Sequence, residues 1–65
     1  PKFIDISSKE VWLLFQNISL KEIEFIEKLI ESNGDKYFFI YCETNEVSQE
    51  FYEHINNDIK KYRNV

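Results

Sequence analysis

Apolar residues in this chain cluster into short runs set between polar, cap-like residues, and those runs predict its elements. Phe3-Ile4-Asp5-Ile6 is β-rich, alternates weakly and stops at Ser7-Ser8, which predicts a short strand over residues 2–6. Ser7 is followed three residues later by Glu10, the capping-box pattern in which a hydroxyl and a carboxylate satisfy each other's orphan backbone N–H groups. A helix over about 8–17 is expected from it. Val11, Leu14, Phe15 and Ile18 then share one helical face, Trp12 flanks that face and Leu13 lies opposite it.

Ser19 and Glu22 repeat the capping pattern at once, so a second helix is predicted from Leu20 to Asn33-Gly34, with the glycine as a left-handed C-cap. Its expected buried stripe is Leu20, Ile23, Ile26, Leu29 and Ile30, with Glu24, Glu27, Lys28 and Glu31 facing solvent. Phe25 sits at the stripe's edge, where it either covers the rim of the core or adds to a contact surface.

Lys36-Tyr-Phe-Phe-Ile-Tyr-Cys42 is a bounded aromatic and β-branched run, the signature of a strand. Thr44 or Asn45 can cap a last helix through about Arg63, with Val47, Phe51, Tyr52, Ile55, Ile59 and Tyr62 on one face. The expected order is strand-helix-helix-strand-helix. That is an α+β fold with three helices around a minimal two-stranded sheet, a mostly α architecture being the alternative. Gly34 and Pro1 are the only breakers, so residues 1–65 read as one domain.

Composition narrows the picture. A chain of 65 residues buries only about 60% of the surface its unfolded form exposes. At 43% hydrophobic it is nonetheless apolar enough to collapse rather than stay disordered. Six Phe, four Tyr and one Trp, with no Met, make rings the main filling of that core. A lone cysteine, Cys42, excludes an intramolecular disulfide and points to a reducing, cytoplasmic location. No apolar run approaches the roughly 20 residues that span a bilayer, and the N-terminal residues lack the pattern of a signal peptide. The net charge of −4 disfavours phosphate backbones and favours a basic partner.

The two-residue period of the second strand places Tyr37, Phe39 and Tyr41 on one face and Phe38, Ile40 and Cys42 on the other. With Phe3 from the first strand, the tyrosine row forms an aromatic platform suited to binding a protein or stacked bases, unless Leu13, Phe25 or the last helix covers it or the phase is reversed. His54 has Glu50 and Asp58 four residues to either side, the setting of a surface histidine in local ion pairs. One histidine and one cysteine on separate elements supply neither a metal site nor a nucleophile and base, and no Gly-rich phosphate loop is present. No cofactor is expected, and the chain reads as a non-enzyme.

The function expected from these features is that of a small acidic protein-interaction module. It would bind or inhibit a basic or nucleic-acid-binding protein, in the manner of an antitoxin, an immunity protein or a phage inhibitor. Tyr37, Phe39, Tyr41, Phe3 and Phe25 would supply contacts, and Glu24, Glu27 and Glu31 electrostatic steering. One alternative is an obligate homodimer built through the strand around Phe39. Another is a helix-turn-helix-like regulator that uses the two adjoining helices.

Overall fold

The computed structural model describes residues 1–44 and 49–57. Their order is β1 (Phe3–Ile6), β2 (Glu10–Phe15), α1 (Leu20–Ser32), β3 (Tyr37–Cys42) and α2 (Gln49–Asn57). The fold is a small α+β domain with a three-stranded mixed sheet and two helices, not three helices on two strands. The sheet order is β1-β2-β3, with β1 and β2 antiparallel and β2 and β3 parallel.

The correction lies in residues 10–15, expected to be helical and found as the central strand. Val11, Trp12, Leu13, Leu14 and Phe15 are all buried, because β2 has a helix on each of its two faces. A strand buried on both sides reads as an unbroken apolar run, and such a run satisfies a helical spacing equally well. The Ser7 and Glu10 signal is real, but it closes a hairpin. Ser7 Oγ accepts from the Glu10 N–H at 3.0 Å, and the Ser7 N–H donates to the Glu10 carbonyl at 2.9 Å. A short hydroxyl that captures a backbone N–H three residues on serves a turn as well as a helix cap.

At Ser19 the same signal does start a helix. Its Oγ accepts from the Glu22 N–H at 3.4 Å and its carbonyl from the Ile23 N–H at 3.0 Å. The far end differs from expectation: Gly34 has no positive φ, and Asn33 is the cap. The Asn33 N–H reaches the carbonyls of Leu29 and Ile30, and its Nδ2 donates to Leu29 at 3.0 Å. A side-chain amide thus does what the left-handed glycine was expected to do.

Pairing in the sheet settles which residues share a face. Val11, Leu13 and Phe15 gather Ile4, Phe25, Ile26, Leu29 and Phe38 on the α1 side. Phe3, Trp12, Leu14 and Phe51 gather Phe39, Tyr41 and Ile55 on the α2 side. The stripe of α1 that meets the sheet is therefore Phe25, Ile26 and Leu29, each half-buried, whereas Leu20 is 72% exposed and Ile23 and Ile30 also face outward. Apolar residues cover more than half of this helix's circumference, so the sequence left open which part would meet the sheet. The expected last-helix contacts of Val47, Ile59 and Tyr62 lie outside the described residues.

Candidate functional site

Two places concentrate chemistry: the aromatic layer under α2, and the outer edge of β3. The layer is built on a row across the sheet, where Asp5, Trp12 and Phe39 stand side by side on β1, β2 and β3. Trp12 stacks nearly parallel on Phe39, with ring centroids 4.2 Å apart, and on His54 of α2 at 4.1 Å. Its indole N–H donates to Glu10 Oε1 at 3.1 Å. Phe51 descends from α2 onto Phe3, edge to face at 5.5 Å, and onto Tyr41 at 4.8 Å.

Within this layer Asp5 is 3% exposed, and its Oδ2 lies 2.7 Å from His54 Nε2. The histidine expected to pair within its own helix is tied to β1, across 49 positions of sequence, and its expected partner Asp58 lies outside the described residues. A hydrogen bond to a charged group in such a setting contributes about 1.5–3 kcal/mol. The pair fastens α2 to the sheet beside the Phe51 contact. Cys42 belongs to the opposite face of the sheet, so the structure does not bring Cys42 and His54 together. No sequence signal could have found this pair, since a single aspartate in a weak strand and a single histidine in a helix carry no common spacing.

The sequence-predicted contact residues are dispersed by this arrangement. Phe3 is fully buried beneath Phe51, and Phe39 and Tyr41 are half-buried in the Trp12 and Phe51 cluster. The expected division of β3 into two faces is present, with Tyr37, Phe39 and Tyr41 together, but α2 lies over the Phe39 and Tyr41 part of that row. Tyr37, 74% exposed, stands at the strand's start. Phe25 packs inward on the α1 side, while Glu24, Glu27 and Glu31 are exposed on α1. The helix pair needed for a helix-turn-helix is not formed, because its first member is β2.

β3 is an edge of the described sheet. In a parallel pair alternate residues of a strand direct both peptide groups to the neighbour, and those between direct both away. The Tyr37 N–H donates to the Lys9 carbonyl at 2.9 Å and the Glu43 N–H to the Phe15 carbonyl at 2.7 Å. That phase turns the N–H and C=O groups of Phe38, Ile40 and Cys42 outward. No residue of Tyr37–Cys42 is charged, and Lys36 and Glu43 bracket the strand.

Cys42 ends this edge. Its thiol pKa is lowered, first by a hydrogen bond from the Thr44 hydroxyl, whose Oγ lies 3.1 Å from Sγ, and then by backbone N–H groups of Thr44 and Ile18. Because such bonds favour the thiolate, Thr44→Val should move the pH midpoint of Cys42 alkylation upward and slow the reaction near neutral pH. An unchanged alkylation profile in the variant would show that Thr44 does not set the thiol's acidity.

Among the described residues no group of three or more His, Cys, Asp or Glu side chains is placed to hold a metal ion. No helix in them is long and apolar enough to cross a membrane. No protein-family model, curated protein or solved structure matches this chain.

Proposed function

We propose that this chain is a small acidic protein-interaction module that takes an extended segment of a partner protein along the edge of β3. The observation that carries the reading is that edge itself. It offers outward peptide groups at Phe38, Ile40 and Cys42 in a strand without a charge, where strands of most edges carry lysine, proline or a bulge to prevent pairing. Strand addition would supply main-chain hydrogen bonds for affinity, and side-chain contacts on alternate positions would supply selectivity.

Charge indicates the kind of partner. Glu24, Glu27 and Glu31 are exposed on α1, and the chain as a whole carries −4, so a basic protein would be steered toward it. A binder or inhibitor of the antitoxin, immunity or phage-inhibitor type fits this description. Tyr37 and Ile40, both exposed on opposite faces of β3, are the side chains best placed to meet the added segment.

The test is amide NMR during titration with a peptide of alternating lysine and valine. The amides of Phe38, Ile40 and Cys42 should shift and become slower to exchange with solvent, while those of Phe39 and Tyr41, already committed to β2, change less. Perturbation confined to α2 or β1, or none at all, would overturn the edge as the recognition element.

A further inference from the structure

We propose that, when no such partner is present, the β3 edge is covered by the β3 edge of a second copy of this chain, antiparallel, with Ile40 on the two-fold axis. The inference rests on the reading of β3 as a recognition edge and names one occupant for it.

Self-complementarity is the first argument. The outward peptide groups belong to Phe38, Ile40 and Cys42, which are symmetric about Ile40. A two-fold axis at Ile40 sets Ile40 against its copy and Phe38 against Cys42 of the second copy, so every outward N–H and C=O of the strand finds a partner. The three-stranded sheet would become a continuous one of twice the width.

Charge is the second argument. Two chains of net charge −4 repel at a distance, but the strip that would meet contains no charged side chain. At its ends Lys36 precedes the strand, and Glu43 after it is already paired with Lys2 at 2.9 Å. Antiparallel pairing keeps the two Lys36 side chains at opposite ends of the joint, whereas a parallel pair would set them side by side.

The third argument is unburied apolar surface. Ile40, on the strand that would pair, is 37% exposed. Among the described residues, large hydrophobic side chains on the surface rival in number those in the core. Association through the β3 edge would remove the Ile40 part of that surface from water.

Sedimentation velocity over a roughly hundredfold dilution decides the matter. The wild-type chain should pass from dimer to monomer on dilution, and its Phe38, Ile40 and Cys42 amides should exchange more slowly at high concentration. Ile40→Lys, which puts a charge on the two-fold axis, should raise the dimer dissociation constant by about 100-fold or more. Ile40→Thr, uncharged and equally suited to a strand, should retain most of the association. Far-UV circular dichroism and Trp12 fluorescence establish that each variant is folded, and should Ile40→Lys fail to fold, the concentration dependence of the wild-type amides decides. A chain monomeric throughout, or a dimer indifferent to folded Ile40→Lys, overturns self-pairing. If the monomer still shows Phe38, Ile40 and Cys42 protected by the lysine and valine peptide, the edge reading survives without it. If the peptide also leaves them untouched, both fall.

Discussion

Phe51→Ala should cost about 3–5 kcal/mol, the range for truncating a fully buried phenylalanine. Phe51 is the one buried side chain among the described residues of α2, and it meets Phe3, Tyr41 and Trp12. Among the described residues, its loss leaves α2 held by half-buried Ile55 and by His54, through its pair with Asp5 and its stacking on Trp12. A domain of this size has a total stability of roughly 3–10 kcal/mol, so the change removes a large part of it. The measurement is urea unfolding followed by Trp12 fluorescence. Trp12 is buried beside α2, so its emission should shift to the red even in the absence of urea if the helix lifts away. A loss below about 1 kcal/mol with unshifted emission would mean that α2 does not cover this face.

Leu13→Ala is the second large effect, and it separates two readings of residues 10–15. On a helix over 8–17, Leu13 would lie opposite the buried face, and its truncation would change stability by no more than about 0.5 kcal/mol. On β2 its side chain has no exposed surface and packs with Val11 and Phe15 beneath α1. Removing it there should cost about 2–5 kcal/mol. Equilibrium denaturation of the purified variant gives the answer directly, and a near-neutral result would restore the helix. Leu14→Ala, buried on the α2 side, makes a companion, because the strand requires adjacent positions to be sensitive alike and an amphipathic helix does not.

The elements legible in the sequence are those whose periodicity or caps admitted one interpretation. α1 begins after Ser19 as its capping pattern requires, because a serine that accepts from the N3 amide acts within one turn and needs nothing distant. β3 appears over Tyr37–Cys42, where aromatic and β-branched residues crowd a run of strand length. β1 was legible for the same local reason. The error at β2 came from a pattern that two structures share, and only the presence of helices on both faces of a central strand resolves it.

The candidate sites divide along the same line. That Tyr37, Phe39 and Tyr41 share a face follows from the two-residue period of any strand. That α2 covers Phe39 and Tyr41 but leaves Tyr37 exposed depends on how the last helix docks, a contact that no local spacing encodes. The Asp5–His54 pair is of this second kind, and so is the phase that turns Phe38, Ile40 and Cys42 outward on an edge.

By itself, then, the sequence determined the aromatic core material, the acidic balance, the start of α1 and the strand character of residues 37–42. These are properties of composition and of interactions within a few residues. The tertiary structure alone decided that Val11–Phe15 is a central strand, which arc of α1 is buried and which edge of the sheet stays open. Those outcomes depend on which apolar surfaces meet, and burial is non-directional: it rewards any partner, so the partner must be known before the buried face is.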